Sequence, residues 1–321
     1  MPRRLLHLFI VFLTIAATLP CISSAAESKK AAPGKAAAKP SPPAPKKAPR
    51  PAPVKKTTLA REPYLGAIVV DAADGRVLIE DNADARGYPA SVLKLMLLLI
   101  SMEQIQQGRL TLKDIVPVSA NAVGKEGATL KLKEGEEFTV EDMLYASMMH
   151  SANDVAVALA EKLGGGSVAG YLKLINQRAK ELGMANSVFH SANGLGPEKP
   201  EDPYDITTPR DLSLLCRELL KHPDALRFTA ARQRVFRPDG GQRRIPMATH
   251  NYILDEVKGC DGLKTGYIYA AGYCIAGTAQ RQGKRVIAIL LGATSEKSRN
   301  KLAASLIEKG FKALNSTPSE N

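Results

Sequence analysis

The chain has 321 residues, 45% of them apolar, and a formal net charge of +12. That length suits one large domain or two small ones, with enough apolar residues for a real core. Residues 1–4 carry +2 and residues 27–60 carry +8, which leaves +2 for 61–321. The basic excess therefore belongs to the tail and gives no reason to expect nucleic acid as a partner of the folded part.

Residues 1–26 read as a secretory leader. Two Arg precede an apolar run from Leu5 to Leu19, and Ser24-Ala25-Ala26 fits a small-residue cleavage site. The competing reading is an uncleaved anchor, but the run is shorter than the roughly 20 residues a bilayer crossing needs. The protein is thus expected in the periplasm or another extracytoplasmic cell-wall space. Cys21 would leave with the leader. Cys216, Cys260 and Cys274 remain, an odd number that allows at most one internal disulfide, with Cys260 and Cys274 the nearest pair in sequence.

Residues 27–60 are almost entirely Ala, Pro and Lys. Such a segment cannot bury enough apolar surface to fold, and its prolines favour an extended spacer. It reads as a linker, and its charge suits an anionic wall polymer or membrane surface as partner. The folded domain is expected over 61–321.

That domain opens on two β-rich runs around Asp74-Gly75, a hairpin signal. Three more strands follow near the other end, in "DGLKTGYI", "GYCIAGTAQR" and "KRVIAILLG", with a turn at Gln282-Gly283-Lys284. Between them lies a helical region, including a capping-box-like Thr139-Val-Glu-Asp142. An amphipathic helix closes the chain. The expected fold is α+β. One antiparallel five-stranded sheet is assembled from both ends and covered by terminal helices, with a helical subdomain beside it. A site is expected in the cleft between the two.

The stretch 88–108, "YPASVLKLMLLLISMEQIQQG", starts on a proline suited to a first helical turn and ends on a glycine suited to a stop. From Ala90 to Ile100 only Ser91 and Lys94 are polar, so the helix is buried on every side. A buried lysine must be paired or hold a depressed pKa. Ser91 and Lys94, three apart, share a face. A hydroxyl is a poor nucleophile without a base, and a desolvated lysine can be that base. The alternative is a core lysine that reaches a carboxylate or water. Ser298 and Lys301 repeat the spacing, but among Glu296, Lys297, Arg299 and Asn300 they read as part of a solvated helix.

Lys264-Thr265-Gly266 falls in an expected strand. A cation, a hydroxyl and a bare backbone there suit an anionic substrate lying alongside, while the plain alternative is a strand entering a turn. Ser-Ala-Asn occurs three times, at 119–121, 151–153 and 191–193. Only the copy at Ser151 and Asn153 lies between two helical runs and between Ser91-x-x-Lys94 and Lys264-Thr-Gly, with Asn153-Asp154 placed to cap the second run.

Ser-x-x-Lys, Ser-x-Asn and Lys-Thr-Gly in that order form the penicilloyl-serine transferase signature. Over residues 66–313 the chain resembles the low-molecular-mass penicillin-binding proteins, the D-alanyl-D-alanine carboxypeptidases. The resemblance implies a serine β-lactamase/DD-peptidase-like fold. It implies hydrolysis of peptidoglycan stem peptides ending in D-Ala-D-Ala, and β-lactam antibiotics as covalent inhibitors. Ser91 would be the nucleophile, Lys94 its general base and Ser151 a proton relay to the leaving amine. Asn153 would hold substrate backbone and order the Ser91–Lys94–Ser151 network. Lys264 and Thr265 would meet the substrate carboxylate, and Gly266 would allow its approach. The N–H groups of Ser91 and Tyr267 would stabilise the oxyanion. His250 would play a minor part in binding. Ser191 and Asn193 would be structural. No metal or organic cofactor is implied.

Leu93 and Ala152 stand where relatives often carry Ser or Thr and Gly, and neither change removes a reactive group. Relatives commonly continue into a second domain and an anchor. Because this chain ends at Asn321, it resembles the shorter members, some of which are D,D-endopeptidases, and that activity is the alternative. A β-lactamase would need a Glu-x-x-Leu-Asn loop, which is absent between Asn153 and Lys264. A purely wall-binding protein would not need all of Ser91, Lys94, Ser151, Asn153 and Lys264.

Overall fold

In the computed structural model the described residues are 57–316, apart from 198, 200 and 238–243. The leader and all but the last four residues of the linker lie outside them. Leu59 and Arg61 donate backbone hydrogen bonds to the carbonyls of Ala270 and Gly292. The packed body therefore takes in the end of the segment read as linker.

The opening hairpin pairs β1 (Gly66–Asp71) with β2 (Val77–Asp81). The helical region follows. Helix α1 (Lys94–Gln106) continues from a 3-10 turn over Ala90–Leu93. A small ribbon of β3 (Ile115–Pro117) and β4 (Glu137–Thr139) comes next. Helices α2 (Val140–Tyr145), α3 (Asn153–Leu163), α4 (Val168–Glu181), α5 (Pro209–Leu219) and α6 (Ala225–Thr229) complete the helical part. A second ribbon, β5 (Gln233–Phe236) with β6 (Ile245–Ala248), leads through the short α7 (Ile253–Glu256) back to the sheet. Strands β7 (Cys260–Ile268), β8 (Gly272–Arg281) and β9 (Lys284–Ala293) and helix α8 (Glu296–Ser316) finish the fold.

The main sheet has the order β2-β1-β9-β8-β7 and every pairing in it is antiparallel. The two ends of the sequence thus meet where β1 pairs with β9, as the five expected strands required. The β8–β9 turn places Gln282 at φ +49° and Gly283 at φ +78°, the left-handed pair of a tight hairpin. Antiparallel sheets often wet one face, but here both are covered. One packs on α1, α5 and the helical lobe, and the other on α7 and α8. That is why β8 and β9 read as continuous apolar runs rather than as alternation.

Thr139 caps α2 as expected, its hydroxyl accepting from the Asp142 N–H at 3.2 Å. Residues 94–102 of α1 are buried on all sides, so its helical form rests on packing rather than on an amphipathic face. The three described cysteines are free and buried. Cys274 pairs across the sheet with Gly266, six residues along β7 from Cys260. At the rise of a strand that separates Cys260 from Cys274 by about 20 Å, beyond disulfide reach. Strand β7 is the sheet edge, and it runs past the 3-10 turn that leads into α1.

Candidate active site

The 3-10 turn ahead of α1 meets the middle of β7. Ala90 holds the left-handed φ of +47°, a strained conformation that turns the chain so that Ser91 lies at the mouth of the turn. Lys94 follows one turn later and is fully buried. Its Nζ lies 2.8 Å from Ser91 Oγ, 2.9 Å from Asn153 Oδ1 and 2.5 Å from the Asn193 carbonyl oxygen. Burial holds the Lys94 pKa well below the ordinary lysine value, and the nearby Lys264 lowers it further, while Asp205 and Asp154 oppose them. The core lysine paired to a carboxylate, the plainer alternative, is not what forms.

The partners define what the amine can do. The Asn153 and Asn193 oxygens can only accept, so they take two N–H groups of a neutral amine. Its lone pair is then left for Ser91, the one partner able to donate. Asn153 cannot turn over to spoil this, because its Nδ2 donates to the Glu126 carbonyl at 2.7 Å.

Ser151 sits where a π-helical turn over Ala146–His150 ends and α3 begins, at φ +60°. A π-turn at a helix junction often marks a functional site. Its hydroxyl is buried and has no hydrogen-bond partner among the described residues. The expected Ser91–Lys94–Ser151 network is therefore Ser91–Lys94–Asn153–Asn193 here. Nor do Asn153 and Asp154 cap α3, whose N-cap is Ala152 with no side-chain bond. Asn153 is committed to Lys94. The buried Asp154 carboxylate accepts from the N–H groups of Leu130, Leu132 and Val155 and pins the loop ahead of β4.

Across the cleft, Lys264 is 1% exposed and donates to the Thr265 carbonyl at 2.9 Å. Burial first, and Arg299 second, push its pKa down to about 7. Gly266 faces the turn that carries Ser91 so closely that a Cβ there would stand 2.9 Å from the Pro89 oxygen and 3.0 Å from the Ser91 and Val92 nitrogens. Only a bare backbone brings the edge strand this near. Thr265 is buried, and the half-exposed Tyr267 ring packs on Tyr273 with centroids 4.3 Å apart. The His250 ring lies 5.4 Å from that of His150. Burial, with Lys264 and His150 adding to it, pushes His250 down to about 4, so it is uncharged at neutral pH.

Two members of the site had no motif to announce them. The third Ser-Ala-Asn, read as structural, supplies the Asn193 carbonyl to Lys94. Arg299, placed by its neighbours on a solvated helix, is 3% exposed and stands behind Lys264 with its guanidinium on Asn300 Oδ1. The Ser119 copy is remote from this chemistry, its hydroxyl bonded to Glu161.

The family model described as D-alanyl-D-alanine carboxypeptidase (peptidase family S11) matches residues 60–295. The chain belongs to that family. Among curated relatives, D-alanyl-D-alanine carboxypeptidase DacF of Bacillus subtilis is 31% identical over 264 residues, covering 82% of this chain. DacC of Escherichia coli is 29% identical over 252 residues, covering 76% of it. The matched regions span 66% and 60% of those two proteins. The ampicillin-bound structure of penicillin-binding protein D2 from Listeria monocytogenes superposes with a TM-score of 0.68 at 33% identity. It covers 78% of this chain and 98% of that one. The fold is that of the DD-peptidases, as its α+β sheet-and-lobe architecture led one to expect.

Asn193, which accepts from Lys94, also lines a cavity of about 1100 Å³. Asn193, Asp205 and Tyr204 line one side, Glu126 another, and Ile268 and Tyr269 at the end of β7 a third. Ser91 and Lys94 are not among the residues that line it.

Proposed function

We propose that the protein is a serine-type D-alanyl-D-alanine carboxypeptidase that acts on peptidoglycan stem peptides through an acyl-enzyme on Ser91. The observation that carries this reading is the buried Lys94 Nζ 2.8 Å from Ser91 Oγ, its other two contacts being oxygens that can only accept. The substrate strand adds along the free edge of β7, a mode in which main-chain hydrogen bonds give affinity. Its terminal carboxylate meets Lys264 and Thr265, with Arg299 adding positive potential behind them. The preceding residues of the stem extend toward the cavity at the end of β7. The Ser91 oxygen attacks the peptide carbonyl as Lys94 takes its proton. The oxyanion is met by the N–H groups of Ser91 and Tyr267. The proton then passes from Lys94 to the leaving D-alanine amine. Water then cleaves the ester with Lys94 again as base. β-Lactams acylate the same oxygen.

Two lysines set the expected pH dependence. Lys94 must be neutral, so kcat/KM falls on the acid side. Lys264 must be charged to hold a carboxylate, so kcat/KM also falls as pH rises through about 7. A profile that stays flat on the alkaline side contradicts the carboxylate role of Lys264.

The direct test is digestion of purified muropeptides by the mature protein. Its N-terminus, expected at Glu27, also checks the leader and with it export. Loss of one D-alanine from monomeric pentapeptide is the expected result. Conversion of cross-linked dimers to monomers without that loss identifies an endopeptidase instead. Release of neither overturns the reading.

A further inference from the structure

The Asp205 carboxylate makes no hydrogen bond to Ser91 or Lys94, yet it holds the loop that aims Lys94. Asp205 is 4% exposed. One of its oxygens accepts from the backbone N–H of His190 at 2.6 Å and of Ser191 at 2.9 Å. The other accepts from Ser191 Oγ at 2.6 Å. Ser191 Oγ accepts in turn from the Gly194 N–H at 2.9 Å. Gly194, at φ +78°, lies so close to the Ala90 carbonyl that a Cβ would overlap it. Between these two anchored ends is Asn193, whose carbonyl oxygen takes the Lys94 proton donor. Carboxylate, loop and base thus form one chain of contacts. A buried carboxylate with three donors is a strong anchor, since hydrogen bonds to ionised acceptors are about twice as strong as neutral ones.

We propose that Asp205 is a positioning residue for acylation. It clamps residues 190–194 so that the Asn193 carbonyl directs Lys94 Nζ onto Ser91 Oγ. The proposal rests on the reading of Ser91 as nucleophile and Lys94 as base. The charged groups around the base come from three directions. Lys264 on β7 and burial favour the neutral amine, whereas Asp205 and Asp154 on α3 favour the ammonium. Asp205 itself faces Lys94 on α1, Tyr171 on α4 and His190 in its own loop.

Two substitutions separate the clamp from the charge. Asp205→Asn keeps the size, removes the charge and turns one acceptor into a donor facing Ser191 Oγ. Ser191→Ala keeps the charge and removes the hydroxyl that ties Asp205 to Gly194. The measurement is the second-order rate of acylation by a fluorescent penicillin across pH, with folding checked by thermal unfolding.

For Asp205→Asn the plateau rate is expected to fall by roughly tenfold to a hundredfold, the scale of a small misplacement of a catalytic group. The acid limb should also move to lower pH, because loss of a nearby negative charge lowers the Lys94 pKa. For Ser191→Ala the plateau falls and the acid limb stays where it is. A residue that only supports the fold would lower the unfolding temperature without displacing that limb. If both variants keep the wild-type plateau and limb, the proposal is wrong. If Asp205→Asn does not fold, Ser191→Ala decides, and an unchanged plateau overturns the clamp. A wild-type protein that is not acylated at any pH overturns the Ser91 reading and this proposal with it, which sets that failure apart from the others.

Discussion

Ser91→Ala is expected to abolish release of D-alanine from pentapeptide and to leave the fold unchanged. Ser91 is only partly buried, and among the described residues its hydroxyl's one side-chain partner is Lys94. Alanine fits the same 3-10 turn, so thermal unfolding should be close to wild type. The chemistry cannot be transferred to a neighbour. Ser151 Oγ has no base in hydrogen-bond contact. Ser298 and Lys301, the second Ser-x-x-Lys, lie on α8, which packs on the opposite face of the sheet from α1. Release that survives the substitution, at a rate above the background of boiled protein, places the nucleophile elsewhere.

Lys94→Met is the second large effect. Methionine fills nearly the same volume but removes the base. Acylation is expected to slow by about two to four orders of magnitude, the range that general base catalysis supplies. The stability of this variant carries its own signature. Wild-type Lys94 has a native pKa held below its unfolded value, so the unfolded chain binds more protons below about pH 10. The wild-type fold is therefore penalised increasingly as pH falls from about 10 toward the native pKa. Methionine carries no such penalty, although it orphans the Asn153 and Asn193 oxygens, at about 1–3 kcal/mol each. Unfolding measured across pH should thus show the variant gaining on wild type as pH falls. A stability difference independent of pH means that Lys94 is not desolvated in the way described.

The distribution of what the sequence revealed follows from physics. The sheet was legible because hairpin turns announce themselves through Asp74-Gly75 and Gln282-Gly283, and α1 because a long apolar run admits few other fates. Ser91 and Lys94 were legible because one helical turn fixes their spacing to within a hydrogen bond. The Asn193 contribution was not, because a backbone carbonyl carries no residue-type signal, and 99 residues separate it from the amine it meets. Arg299 was hidden by its neighbours. Glu296, Lys297 and Lys301 are at least partly exposed on the same helix, and only the packing of α8 on the sheet turns Arg299 inward. Asp154 read as a cap from its position at a helix start, but the loop ahead of β4 adds two N–H donors, Leu130 and Leu132, to that of Val155 in α3, and the carboxylate ties loop to helix. Two of the three Ser-Ala-Asn segments reach the same amine, one through the Asn153 side chain and the other through the Asn193 main chain.

The claim that decides the account is a covalent bond to one serine. Incubation of the mature protein with penicillin, followed by tryptic digestion and mass mapping, tests it directly. The prediction is a long-lived, stoichiometric penicilloyl adduct on Ser91 in the tryptic peptide Gly87–Lys94. An adduct on another residue, rapid turnover of the drug, or no adduct at all would contradict it.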